Sequence, residues 1–181
     1  MKSLALAALA LAAGLVPPAL EDKAAPGTKI PAFQAQAITA VDSQATLVPT
    51  AYMIIGVNCG STPAYEKRFK AIEDEFRSKG VDFVWVFPNG TESHEQKLAW
   101  MKKMGLRGAM VDDEGAKIAS ALGCKNTAQV ILADKAGSIL FRGGIDDNRD
   151  ESAVKARYLA TALQEHLAGK PVTTSSARSF G

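Results

Sequence analysis

From Thr50 to Ala168 the chain alternates short, unbroken apolar runs with stretches whose apolar residues recur every three or four positions. TAYMIIGVN, Thr50 to Asn58, is continuous and predicts a strand buried on both faces, as in a parallel sheet. Behind it Tyr65, Phe69, Ile72 and Phe76 fall on one face of a 3.6-residue period, with Pro63 in the first turn and Gly80 at the end. Glu66 and Lys70 stand at an i,i+4 spacing on its outer side. VDFVWVFPN, Val81 to Asn89, predicts a second buried strand. A helix is expected from about Glu92 to Met104, closed by Gly105, with Leu98, Met101 and Met104 as core candidates. A short helix over Gly115–Gly123 comes next, then a strand over Ala128–Asp134. The turn Lys135-Ala136-Gly137 joins that strand to another over Ser138–Gly143, which reads as an antiparallel hairpin. A last helix is expected from about Glu151 to Ala168, with Val154, Tyr158, Ala162 and Leu163 near one face.

Two βα units followed by a hairpin and a closing helix give an α/β fold, a central mixed β-sheet with helices on both faces. Before it, IPAFQAQAITAVDSQATLV has the weak alternation of a short hairpin. After it, residues 173–181 form a Ser/Thr-rich ending expected as a flexible C-terminal tail. No internal repeat or linker divides residues 26–172, which read as one domain.

The first residues break this pattern. Lys2 precedes the apolar run Leu4–Val16, and PPALEDKAAPG follows. A positive start, a short apolar core and a small-residue exit are the features of a secretory signal, placed over residues 1–25. The run is too short for a comfortable membrane span. The alternative is an uncleaved N-terminal anchor. The expected mature protein is exported, to a bacterial periplasm or outside the cell, with no membrane association after cleavage. Hydrophobic residues make up 47% and charged residues 22% of the chain, an ordinary globular balance. The net charge of +2, with no basic cluster, gives no reason to expect nucleic acid. Lys102-Lys103 and Glu73-Asp74-Glu75 read as solvated helix faces.

There are two cysteines, Cys59 and Cys124. In an oxidising compartment two thiols are a structural disulfide or a redox pair. They cannot hold zinc alone, and His94 and His166 lack ligand spacing to them, so no metal site is expected. Cys59 lies where the first buried strand passes into its helix. Ligands and chemistry gather at the carboxyl ends of strands in open α/β sheets. The helix N-terminus there favours thiolate. On placement alone, a nucleophile and a small buried hydrophobe are equally good readings of Cys59.

The ordered set of elements with NCGSTPAYEKRF resembles the thioredoxin fold. More narrowly, the chain resembles exported redoxins of the alkyl hydroperoxide reductase/thiol-specific antioxidant (AhpC/TSA) superfamily. Cys59 with Tyr65, the segment VDFVWVFPNGTES, and VDDEGAKIASALGCKNTAQVILADKAGSILFRGGIDDN with its turn Arg142, Gly143, Ile145, Asp146, Asp147 carry the resemblance. LAGKPVTTSSARSFG is similar to the ending of that group. The resemblance implies a reactive Cys59, no cofactor, and electrons from a partner dithiol or disulfide protein, with a disulfide or a peroxide as substrate. It also implies that NTAQV faces the cysteine, so that Thr127 and Ala128 form the substrate-binding edge.

Three departures weaken catalysis by the usual routes. Thr62 stands where C-x-x-C needs a second cysteine. Gly56 stands where a peroxiredoxin has Thr or Ser. Ala128 stands where the fold has a cis-proline. Cys124, four residues before Ala128, is a candidate resolving partner of Cys59; a permanent disulfide or two thiols too distant to bridge are the alternatives. Thr62 is a candidate donor to the Cys59 sulfur or only a helix cap. The leading expectation is an exported thiol oxidoreductase and antioxidant redoxin. The alternatives are a thioredoxin-like binding module without redox activity, and a Cu(I)-binding thiol protein. Arg142 and Asp146-Asp147 read as a turn that holds the last helix, and Asp112-Asp113-Glu114 lacks the spacing of a calcium loop.

Overall fold

The computed structural model describes residues 25–31, 34–35, 41–42 and 48–180. The expected signal segment, apart from Ala25, lies outside the described residues. Of the expected early hairpin, only an antiparallel pair of two-residue strands is described, β1 (Gln34–Ala35) and β2 (Val41–Asp42).

The main sheet contains β3 (Thr50–Ile54), β4 (Asp82–Phe87), β5 (Ala109–Asp112), β6 (Gln129–Ala133) and β7 (Ile139–Gly143), in the order β5-β4-β3-β6-β7. β3 pairs parallel with β4, and β4 with β5; β6 runs antiparallel to both β3 and β7. This is the mixed sheet of the thioredoxin-like fold. All five residues of β3 are buried, as a strand covered on both faces requires.

Helices α1 (Thr62–Arg77) and α2 (His94–Met104) connect β3 to β4 and β4 to β5. Both crossovers step the same way across the sheet, so right-handed connection puts both helices on one face. Tyr65, Phe69 and Phe76 of α1, Trp100 and Met101 of α2, and Leu159, Ala162 and Leu163 of α4 (Tyr158–Leu167) pack there on Met53, Ile55, Trp85, Phe87 and Phe141. α3 (Lys117–Ala121) covers the other face, where Ile118, Ala119 and Leu122 meet Tyr52, Ile54, Val86 and Ile131.

Several local expectations are corrected. Leu98 is 44% exposed; the inward face of α2 is Lys97, Trp100, Met101 and Met104, an i, i+3, i+4, i+7 set. Lys97 belongs to it because its ammonium reaches Asp112 of β5 at 2.7 Å. The short strand β5 follows Gly108, where a Cβ would fall 2.5 Å from the Phe83 carbonyl. Glu73, expected in solvent, is 0% exposed: its carboxylate accepts from the Arg107 and Gly108 N–H groups and from Trp85 Nε1. Lys70 pairs with Asp74 rather than Glu66, which accepts from Trp100 Nε1 at 2.8 Å.

The last helix starts at Tyr158, not Glu151. Asp150 accepts from Ser152 N–H and closes a separate 3₁₀ turn over Glu151–Ala153, and the Val154 backbone is extended. The ending expected as a flexible tail is fastened to the domain. Arg142 N–H donates to Ser175 O at 3.0 Å, Ala177 N–H donates to Arg142 O at 2.9 Å, and Val172, Ala177 and Phe180 pack on the core. Gly143 and Gly144 permit this approach, since a Cβ on either would meet Ala177 or Arg178 backbone within 2.9 Å. Among the described residues no helix is long and apolar enough to cross a membrane.

Candidate functional site

The site forms where β3 ends. Ile55 still pairs with β4 through Val86 O, and the chain then turns: Cys59 N–H donates to Gly56 O and Thr62 N–H to Cys59 O. Ser61 is the N-cap of α1 and Pro63 sits in its first turn, where a missing N–H costs nothing. Cys59 is therefore held just ahead of the first turn of a sixteen-residue helix. It is half-buried, with Asn58 and Gly60 exposed on either side.

The loop before β6 supplies the facing wall. Thr127 Oγ1 donates to Cys59 Sγ at 3.0 Å. Ala128, buried, takes a positive φ of 54°, and no cis peptide bond occurs among the described residues. Thus NTAQV does face the cysteine, with a threonine hydroxyl at the sulfur. Burial raises the Cys59 pKa, but the Thr127 hydroxyl, the Ser61 N–H and hydroxyl, and the Thr62 N–H outweigh it. The net effect is a thiol below its ordinary value, hence a better-populated nucleophile at neutral pH.

The Thr62 hydroxyl takes neither of its two expected roles, donor to the sulfur or helix cap, since Ser61 is the N-cap. That hydroxyl donates to Gly56 O at 2.6 Å, tying the first turn of the helix back to the strand end. The space beside Gly56, where a threonine side chain would stand, is filled: a Cβ there would lie 2.3 Å from Asn89 Nδ2. Asn89 Nδ2 donates to Glu92 Oε1, which also accepts from Asn58 N–H at 2.8 Å. Glu92 is only 4% exposed and fastens the loop that carries Cys59. In the sequence Glu92 is marked only as an acid next to the strand-ending turn Pro88-Asn89-Gly90.

Cys124 follows α3. It packs against the hydrophobic cluster on the α3 face, with its sulfur 3.7 Å from Leu122 O. Cys59 and Cys124 are both thiols, not a disulfide. Arg142 Nη2 donates to Gly123 O and holds this corner. Asp146 pairs with the buried Arg68 of α1, and Asp147 accepts from Lys155 N–H, an arrangement that fits the expected turn before the last helix. Asp113 accepts from the Ile118 and Ala119 N–H groups at 2.8 Å each, so its carboxylate is used in starting α3.

Replacing Thr127 with Val removes the hydroxyl at the sulfur and destabilises the thiolate. The inflection of Cys59 alkylation rate against pH should move upward, and the rate at neutral pH should fall several-fold. Thr127→Ser should keep the wild-type profile. An unchanged profile in the Val variant would show that the hydroxyl does not act on the thiolate.

The family model described as Redoxin matches residues 25–158. No curated protein matches the chain. Among solved structures, an uncharacterized conserved protein from Geobacillus kaustophilus superposes with a TM-score of 0.76 at 21% identity, covering 84% of this chain and 89% of its own. A hypothetical protein from Sinorhizobium meliloti gives 0.76 at 20% identity, over 86% of this chain and 91% of its own. A putative thiol:disulfide interchange protein DsbE from Chlorobium tepidum gives 0.60 at 16% identity, over 80% and 96%. At these identities the structural likeness shows the fold.

Proposed function

The chain belongs to the redoxin family, and from that premise we propose that it is a thiol oxidoreductase in which Cys59 exchanges with a disulfide. The observation that carries this is the Thr127 hydroxyl at the Cys59 sulfur, on a half-buried thiol ahead of a long helix. The thiolate attacks one sulfur of the substrate disulfide, forming a mixed disulfide with Cys59 and expelling the other half as thiolate. An external thiol then attacks the mixed disulfide and returns Cys59 to thiolate.

The external thiol is preferred over Cys124 because Cys124 packs on the α3 face of the sheet, whereas the helix that follows Cys59 covers the other face. A peroxide substrate is the weaker reading. The Asn89 amide fills the space beside Gly56, where the hydroxyl of a peroxide-polarising Thr or Ser would stand. Export, expected from residues 1–25, is part of the same reading; fractionation and the N-terminal mass of the mature protein test it.

Reduced protein treated with 2-hydroxyethyl disulfide should gain one reversible adduct, mapped to Cys59. The adduct should be absent in Cys59→Ser and retained in Cys124→Ser. A wild-type protein that gains none, or one modified on Cys124 alone, would sink the assignment. Rapid conversion of the adduct to a Cys59–Cys124 disulfide would replace the external thiol with Cys124.

A further inference from the structure

Three cations stand on the segments that frame Cys59. Arg149 is exposed, and its Nη2 donates to the carbonyl of Gly60, the residue after Cys59, at 2.5 Å. The Arg149 carbonyl in turn accepts from Arg68 Nη2 at 2.7 Å, and Arg68 is buried and paired with Asp146. Arg149 is thus placed beside the thiol by a buried anchor. Lys125 is exposed two residues before Thr127, on a loop held by its N–H to Gln129 Oε1 at 3.2 Å. Arg178 lies over the Phe180 ring at 5.2 Å, and its neighbour Ser179 donates to Asn126 Oδ1 at 3.0 Å, next to Thr127.

None of these three has a carboxylate within ion-pair distance among the described residues. The acids of the same segments are held by other partners: Asp146 pairs with Arg68, Glu151 lies 4.0 Å from Lys67, Asp147 and Asp150 accept from the Lys155 and Ser152 N–H groups, and Glu92 accepts from the Cys59 loop. On a chain of net charge only +2, each of the three segments that frame the thiol thus carries an exposed cation, and Arg149 reaches the residue next to Cys59. Cations beside a reacting group raise the local concentration of an anionic substrate.

We propose that the substrate of Cys59 is a mixed disulfide of a small, carboxylate-bearing thiol, recognised by Arg149 with Lys125 and Arg178. This rests on Cys59 being the exchanging thiol. A small thiol suits a site with Thr62 in place of a second cysteine, because a second molecule of the same thiol can complete the exchange. Writing R for the carboxylate-bearing half, Cys59–S⁻ attacks the R sulfur of R–S–S–R′, giving Cys59–S–S–R and R′–S⁻, which takes a proton from water. A second R–S⁻ attacks the R sulfur, giving R–S–S–R and Cys59–S⁻. The net change is R–S–S–R′ + R–SH → R–S–S–R + R′–SH; R–SH is the reductant. Arg149 supplies the guanidinium fork that takes a carboxylate with two N–H groups.

The test compares three small disulfides on the reduced protein: 3,3′-dithiodipropionate (anionic), 2-hydroxyethyl disulfide (neutral) and cystamine (cationic). Each rate of Cys59 adduct formation is divided by the rate of the same disulfide with a simple free thiol. The anionic probe should exceed the cationic one by about tenfold or more at low salt. The ratio should fall toward one at high salt and in the combined variant Lys125→Gln, Arg149→Gln, Arg178→Gln. Arg149→Lys alone, which keeps the charge and loses the fork, should retain part of the ratio and fall clearly below wild type. Equal normalised rates for all three probes, or a ratio that survives the triple substitution, would overturn the substrate class while leaving Cys59 as the nucleophile. If no probe reacts, the nucleophile assignment itself fails and the substrate class falls with it.

Discussion

Glu73→Ala should destabilise the fold by about 3–5 kcal/mol, a loss visible as a urea midpoint lowered by about 2 M. Glu73 is fully buried, one turn before the end of α1. Its carboxylate receives the Arg107 N–H on both oxygens, at 3.1 and 3.0 Å, the Gly108 N–H, and the Trp85 indole N–H at 3.4 Å. These donors are the turn into β5 and the largest residue in the centre of β4. Alanine would strand them away from water and open a void beside Trp85, which already packs on Phe69, Phe83 and Trp100. Glu73→Gln keeps an acceptor oxygen and the volume, so its cost should be well below that of Ala. If Ala and Gln cost the same and both cost under about 1 kcal/mol, the buried carboxylate is not the tie between α1 and β5.

The second large effect is at Asp146. Arg68 is nearly enclosed and gives its Nη1 to Asp146 and to Asn148 O at 2.8 Å, and its Nη2 to Ala64 O and Arg149 O. Removing Asp146 leaves a buried guanidinium without its counter-charge, so Asp146→Ala should cost about 3–5 kcal/mol. Removing both charges, as Arg68→Met with Asp146→Leu, should cost less than Asp146→Ala alone, because no unpaired charge remains. Chemical denaturation of the two variants decides this. A double variant at least as damaged as the single would show that the backbone bonds of Arg68, rather than its ion pair, hold the loop. In either case the loop 146–149 should loosen, and with it the placement of Arg149 beside Cys59.

The same residues show what can be read from a sequence and what cannot. The apolar run of β3 and the 3.6-residue face of α1 are dictated by burial on both sides of one sheet, and so the junction carrying Cys59 was legible from the pattern. Glu73 and Lys97 were not. Each sits on the inward face of its helix, but each is charged, and its partner lies far along the chain in the segment around β5. An inward charge looks like a solvated one until that partner is placed. β5 itself is four residues long and depends on Gly108 lying flat against Phe83, a contact with no local signature. At the site, the resemblance led to Thr127 and Ala128, and the fold does bring Thr127 to the sulfur. Which threonine meets the thiol was undecidable from spacing. Thr62 was the nearer in sequence, yet its hydroxyl is taken by the Gly56 carbonyl left open as β3 ends.

The outer side of β7 carries a consequence for how this protein meets its own copies. Near its start, Ile30 N–H donates to Gly137 O and Ile139 N–H to Thr28 O; at Arg142, residues 175–177 take both backbone groups. Segments from both ends of the domain thus occupy the same strand. A sheet extends by adding a strand to an open edge, and that is how edge-to-edge aggregates grow. Here the β7 edge is already filled from within the chain. Among the described residues, outward growth of this sheet is left to the four-residue β5, too short a template to recruit a partner strand with much purchase.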